Sequence, residues 1–138
     1  MTISVIIATH NRRNLLRECL AHLGVQSYRP GDEVIVVNNG STDDSRNVIA
    51  DHARTFPVPL RYLEENEPGK SHAVAAALRV ATGDVLAFTD DDVNVERLWL
   101  DAIRRAMTDP ATMPTADKRL PEVTAMRWLR TSWRSRAA

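Results

Sequence analysis

Thr82-Gly83-Asp84-Val85-Leu86-Ala87-Phe88-Thr89-Asp90-Asp91-Asp92 is the stretch on which the fold turns. A short apolar run, Val85-Leu86-Ala87-Phe88, leads almost directly into three consecutive aspartates. A strand covered on both faces reads as continuous apolar sequence rather than as an alternation, so this run predicts a buried strand with an acidic turn at its carboxyl end.

Upstream the pattern repeats. Ile3-Ser4-Val5-Ile6-Ile7-Ala8 and Glu33-Val34-Ile35-Val36-Val37 are two more runs of this kind, and Leu60-Arg61-Tyr62-Leu63 is a weaker one. Helical spacing lies between them. Leu15, Leu16, Cys19, Leu20 and Leu23 share one helix face, with Asn14 placed to cap its start. Ser41, with Asp44 three residues on, has the form of a capping box for a second helix reaching about Arg54. The Ala-rich run 71–81 reads as a third helix, with Gly83 as the glycine beyond its end. Residues 97–107 read as a fourth, with Trp99, Ile103 and Met107 on one face. Alternating strands and helices predict an open, mostly parallel α/β sheet with right-handed crossovers and flanking helices; 3-2-1-4 is the strand order expected of it. Ligands of such sheets sit at the carboxyl ends of the strands. The polar clusters 9–12, 38–41 and 90–92 all fall at such ends, so the topology gathers them on one rim.

Three adjacent carboxylates repel one another and raise each other's pKa unless a positive group neutralises them. Mg2+ and Mn2+ prefer carboxylate oxygens, and Mg2+ takes only one or two from protein, filling its other positions with water and phosphate. One acidic turn therefore suffices for a metal completed by a diphosphate. Capping of the next helix by Asp91 and Asp92 is the alternative use of these residues; their junction with a buried strand favours the metal.

The chain has 138 residues and a formal net charge of zero, so no global field draws it to nucleic acid. Cys19 is the single cysteine, which excludes an internal disulfide and a cysteine zinc site. No apolar run approaches the ~20 residues of a membrane span, and no signal peptide is read at the start. A cytoplasmic location is the expectation. Residues 110–138 change character: Pro110, Pro114 and Pro121 interrupt them, and Met126, Leu129 and Trp133 are spaced for one face of a short helix among arginines. The expected organisation is an α/β domain over 1–109 and an irregular or short-helical basic tail over 110–138. The basic, Trp-bearing segment 126–136 is the candidate for peripheral contact with an anionic membrane surface.

Four segments together resemble glycosyltransferase family 2, of the GT-A fold. They are the strand Ser4-Val5-Ile6-Ile7-Ala8 with Thr9-His10-Asn11-Arg12, then Val34-Ile35-Val36-Val37 with Asn38-Asn39-Gly40-Ser41-Thr42-Asp43, then Pro68-Gly69-Lys70-Ser71, and the opening stretch. The resemblance covers about residues 2–109. It implies a nucleotide-diphospho-sugar donor (UDP-, dTDP- or GDP-linked), Mn2+ or Mg2+, and sugar transfer to a hydroxyl of a glycan or lipid acceptor. It places Ala8, Thr9, Asn11 and Asn39 at the nucleobase and Lys70 at the nucleotide. Asp90 and Asp91 fall near the ribose and diphosphate, and Asp92 is the implied direct metal ligand.

Two departures stand out. The family often carries Asp-Asp-Gly-Ser where this chain has Asn38-Asn39-Gly40-Ser41, so the side-chain oxygen of Asn39 accepts without a charge. Family members also usually continue past the acidic turn into the region that supplies the acceptor site and catalytic base. Glu122 is the only acid after Asp117, and its surroundings do not resemble the base motif. The sequence thus reads as truncated before that region, with the catalytic base unassigned. A donor-binding module without turnover is the second reading. Gly69-Lys70-Ser71 is not a P-loop, because position 64 is Glu64 and no buried strand immediately precedes it. No GxGxxG follows the first strand, which excludes a dinucleotide fold of that type. His10 and His72 lie near the expected rim, and each is either a ligand contact or a solvated loop residue.

Overall fold

The structure is a computed structural model that describes residues 1–108 and 124–127. Its elements run β1 (Ile3–Thr9), α1 (Arg13–Leu23), β2 (Glu33–Asn38), α2 (Ser45–Ala53), β3 (Leu60–Glu64), α3 (Lys70–Val80), β4 (Val85–Phe88), α4 (Trp99–Thr108) and β5 (Thr124–Arg127). The sheet order is β3-β2-β1-β4-β5. Strands β1 to β4 are mutually parallel in the expected order, and β5 pairs antiparallel with β4, Leu86 opposite Met126.

The apolar runs form strands because both sheet faces are covered. On one face Val5, Ile7, Val34 and Val36 meet α1 and α4 residues such as Leu16, Leu20, Leu100 and Ile103. On the other, Ile6, Ile35 and Val37 meet Ala73 and Ala77 of α3. Small residues on α3 let that helix lie close on the sheet. Cys19 is fully buried, as its place on the apolar face of α1 predicts.

The amino edge of the sheet is closed by two buried acids. Asp32 accepts from the backbone N–H groups of Ile3 and Arg29, both at 2.8 Å, and pairs closely with buried Arg104. Glu33 accepts from Ser4 Oγ (2.8 Å), Thr82 N (2.8 Å), Thr82 Oγ1 (3.0 Å) and Arg61 (3.1 Å). Burial pushes the Glu33 pKa up, but the bonds from Thr82, Ser4 and Arg61 outweigh it and hold the carboxyl below its ordinary range. Both buried carboxylates at this edge are thus partnered, while Nε of the buried Arg104 has no hydrogen-bond partner among the described residues.

Four expectations are corrected. Gly83 is not a left-handed helix terminator; α3 ends at Ala81 in extended backbone, and Gly83 is absent from the positive-φ glycines. Its need is space: a Cβ there would stand 2.6 Å from Ser4 N and 2.9 Å from Ile3 C, against β1 itself. Ser41 and Asp44 form no capping box. The Ser41 hydroxyl accepts from Asn11 N at 3.0 Å, and α2 starts later, at Ser45, whose N–H and hydroxyl both donate to Asp43. Asn14 lies inside α1, whose cap position is Arg12. Met126 lies in strand β5, not on a helix face; pairing along the free edge of β4 determines its conformation, while Leu129 and Trp133 lie outside the described residues.

Gly83→Ala should lower stability by about 1–3 kcal/mol, because the clash is with backbone that cannot move without shifting β1. Urea unfolding of the parent and the variant measures it. A Gly83→Ala chain as stable as the parent contradicts the close approach.

Candidate functional site

Parallel pairing of β1 with both β2 and β4 brings three strand ends to one edge, and a cavity of about 410 Å³ opens there. Ala8, Thr9, His10 and Arg12 line it from the end of β1, Asn39 from the end of β2, Lys70 from the start of α3 and the three aspartates from the end of β4. A second hollow of about 330 Å³ shares Ala8, Lys70 and Asp90 with it and is floored by Ile6, Val74 and Phe88. Of the eight residues picked out in the sequence, Ala8, Thr9, Asn39, Lys70, Asp90, Asp91 and Asp92 come together on this cavity. Asn11 is not among the residues lining it.

Asn11 instead laces two loops. Its φ of 50° is a left-handed conformation that asparagine tolerates. Its Oδ1 accepts from the N–H groups of Thr42 (2.7 Å) and Asp43 (3.3 Å), while Arg13 N donates to Asp43 at 3.2 Å. The loops after β1 and β2 are thereby held as one body. Asn39 binds the next loop in: its Nδ2 donates to the carbonyls of Glu65 and Glu67, both at 2.8 Å, and its Oδ1 accepts from Gly69 N at 3.1 Å. Only an amide offers donors and an acceptor together for this role. Gly69, with φ of 122°, then aims the chain into α3, and Lys70 begins that helix. Asn38 is a turn residue, accepting from Ser41 N at 3.2 Å and donating to Tyr62.

The aspartates have unequal surroundings. Asp91 is buried and accepts from Thr9 Oγ1 at 2.9 Å, which ties the acidic turn to the end of β1. Burial pushes its pKa up; Thr9 and Arg12 oppose this and its acidic neighbours add to it, and the net shift is upward. Asp90 and Asp92 stay half exposed, with side-chain accessibilities of 53% and 48%. Lys70 pairs closely with Asp90. Arg12 reaches both Asp91, at 3.4 Å, and Asp92, at 3.3 Å. Burial, with the three aspartates adding to it, pushes the Cys19 thiol up to about 12, and its Sγ donates weakly to Asp90 O, which fits a core role.

Two further residues belong to the site. His10 lines the cavity, and its Nδ1 lies 2.7 Å from Asn39 O; a carbonyl only accepts, so Nδ1 carries the proton. His72 is exposed on α3 and is not among the lining residues. Arg12 could have been found from sequence as a base at one strand end facing acids at another, given the strand order.

An open α/β sheet with an acidic turn at its carboxyl edge defines the class. The chain belongs to glycosyl transferase family 2, whose family model matches residues 4–137, continuing beyond position 109. Among solved structures it is similar to the mannosyltransferase PcManGT from Pyrobaculum calidifontis in complex with GDP-Man and Mn2+ (37% identity, TM-score 0.73, 78% of this chain and 32% of that one). It is also similar to Staphylococcus aureus TarS 1–349 in complex with UDP-GlcNAc (27% identity, TM-score 0.67, 78% and 31%). Among curated relatives, the validoxylamine A glucosyltransferase of Streptomyces hygroscopicus subsp. limoneus is 31% identical over 110 residues, 79% of this chain and 24% of that protein. The chain spans between 15% and 33% of the length of the first curated relatives it matches. Among the described residues, no helix is long and apolar enough to cross a membrane.

Two outcomes are expected of the site's stability. Asn39→Asp should cost roughly 2 kcal/mol in denaturant unfolding, since a carboxylate cannot donate to the Glu65 and Glu67 carbonyls and repels them. Asp91→Asn should change the pH dependence. The folded state holds the Asp91 proton more tightly than the unfolded chain, so this group's contribution to stability falls as pH rises from the ordinary carboxylate range through its raised native value. Thermal melts without added metal should therefore show Asp91→Asn gaining on the parent across that window. A parent that gains on the variant as pH rises contradicts the assignment.

Proposed function

We propose that this domain binds a nucleotide-diphospho-sugar together with Mn2+ or Mg2+ in the cavity at the carboxyl edge, and that the protein transfers the sugar to a hydroxyl of a glycan or lipid acceptor. The observation that carries this reading is the pairing of half-exposed Asp90 and Asp92 with cationic side chains from the start of α3 and the loop before α1 around one cavity. The donor set fits a hard divalent ion: carboxylate oxygens on one turn supply one or two ligands, and the open cavity leaves room for phosphate oxygens to complete the shell. Among the described residues no group of three or more acidic, cysteine or histidine side chains is placed to hold a metal ion by itself. Asp92, exposed at the cavity, is the assigned ligand. Bound there, the ion would act as a Lewis acid that stabilises charge on the departing diphosphate.

The chain's own groups do the rest. Thr9 orients Asp91, and Lys70 brings an ammonium to the phosphate side of the cavity, a mainly electrostatic contribution. Ala8, Thr9 and Asn39 border the part assigned to the nucleobase, while Asn11 supports it through the loops it holds. The ligands named for the similar structures, GDP-Man with Mn2+ and UDP-GlcNAc, support a nucleotide-sugar donor and leave the base open among UDP, dTDP and GDP. A second reading, donor binding without turnover in this segment, is favoured by one feature. The carboxylates lining the cavity are Asp90, Asp91 and Asp92, each engaged by Lys70, Thr9 or Arg12, which leaves none of them to take the acceptor's proton. Product formation from donor and acceptor separates the two readings. The basic segment 126–136 as a membrane-surface contact remains part of the proposal for a lipid acceptor.

Calorimetry of UDP, dTDP and GDP, each with and without Mn2+, tests the binding claim. At least one should bind, and tighter with Mn2+. Asp92→Ala should remove the Mn2+-dependent gain, a loss of about tenfold or more in affinity; an unchanged gain refutes the ligand role of Asp92.

A further inference from the structure

Arg12 is held differently from Arg61 and Arg104, the arginines paired with the buried acids at the amino edge of the sheet. Arg61 bonds Glu33 at 3.1 Å and also the carbonyl of Val80 at 2.7 Å. Arg104 pairs with Asp32 and also bonds the carbonyl of Met1 at 2.9 Å. Each of those guanidinium groups is anchored by charge and by backbone. Among the described residues, the Arg12 side chain bonds only carboxylates, and it does so through a single nitrogen, Nη1, set between Asp91 Oδ1 and Asp92 Oδ2. Both distances, 3.4 and 3.3 Å, exceed the ~2.7–2.9 Å of a well-formed charge-assisted bond. The side chain is 51% exposed and springs from the loop residue that precedes α1. It neutralises the acidic turn without being fixed to it.

We propose that Arg12 is a displaceable counter-ion: in the free site its guanidinium stands on the carboxylate of Asp92, the assigned cation ligand, and it moves to the diphosphate oxygens when cation and nucleotide arrive together. This rests on the functional reading given above. The physical basis is charge balance. A cation arriving alone must evict a guanidinium that then faces it with no partner, so the two positive charges compete. A cation arriving with a diphosphate gives that guanidinium a new anionic partner in bidentate reach. Arg12 therefore weakens the binding of metal alone and strengthens the binding of nucleotide with metal. By linkage, each ligand raises the affinity for the other by the same factor. Lys70 faces a single carboxylate, Asp90, and does not stand between two.

The test is a pair of titrations on the 138-residue chain: Mn2+ alone, followed by calorimetry or water-proton relaxation, and UDP (or GDP, whichever the parent binds) at saturating Mn2+. Arg12→Gln should bind Mn2+ alone about 3- to 10-fold more tightly than the parent. It should bind the nucleoside diphosphate with Mn2+ about 10-fold or more weakly. Opposite signs in the two arms are the signature, since a merely structural role for Arg12 would weaken both. Arg12→Lys keeps the charge and should stay near the parent for Mn2+ alone. Arg12→Met keeps the aliphatic stem and repeats the test if glutamine disturbs the turn. A parent that binds both ligands, with variants whose Mn2+ affinity is unchanged or lower, overturns this inference alone. A parent that binds neither Mn2+ nor a nucleoside diphosphate overturns the reading of the site, and the inference with it.

Discussion

Parallel pairing of β1 on both sides is the constraint from which the rest follows. A strand hydrogen-bonded to β2 and β4 in the same direction leaves three strand ends on one edge, and the connections that follow them must start there. The opposite edge is closed by Asp32 and Glu33, buried acids with three or more partners each. A charge removed from water is tolerated only when paired and hydrogen-bonded, and these two meet that demand in full. At the carboxyl edge the same residue type is treated in the opposite way. Asp90 and Asp92 keep half their side-chain surface in solvent, and their cationic partners come from the first residue of α3 and from the loop before α1. The acids at the two edges differ in how completely the protein itself satisfies them, and that difference separates structural charge from charge kept available.

The strands were legible because burial on both faces forces continuous apolar sequence, and Val85-Leu86-Ala87-Phe88 is as plain a case as Ile3 to Ala8. Their alternation with helices implies a parallel sheet but does not by itself set the order of the strands within it. What escaped the sequence was decided by contacts between distant segments. Ser41 and Asp44 have the spacing of a cap, yet Ser41 is taken by Asn11, thirty positions earlier. Gly83 sits where a helix-ending glycine belongs, yet its requirement is set by the backbone of Ser4. Strand β5 has no alternating pattern to announce it and exists by pairing with β4. Spacing along the chain carries no information of that kind.

The site divides in the same way. Thr9, Lys70 and the three aspartates are placed by strand and helix ends, which periodicity locates to within a residue or two. The two asparagines are harder. The family resemblance places both Asn11 and Asn39 at the nucleobase, but a rim residue can face the ligand or the neighbouring loop, and the residue type does not say which. The structure turns Asn11 toward Thr42 and Asp43, and gives the Asn39 amide three backbone partners.

That use of Asn39 bears on why this chain departs from the acidic residue its family often carries. A carboxylate at 39 would add a fourth negative charge to a cavity that already holds three, and it could not donate to the Glu65 and Glu67 carbonyls of the loop that leads to Lys70. The amide closes that loop without charge. The loops after β1, β2 and β3 are then bound into one frame by neutral hydrogen bonds through Asn11 and Asn39, while the charged groups within the frame, Arg12, Lys70, Asp90 and Asp92, are paired at partial exposure. A neutral frame keeps its geometry when the ions inside it exchange partners. Preorganisation of this kind puts the cost of ordering the loops into folding rather than into ligand binding.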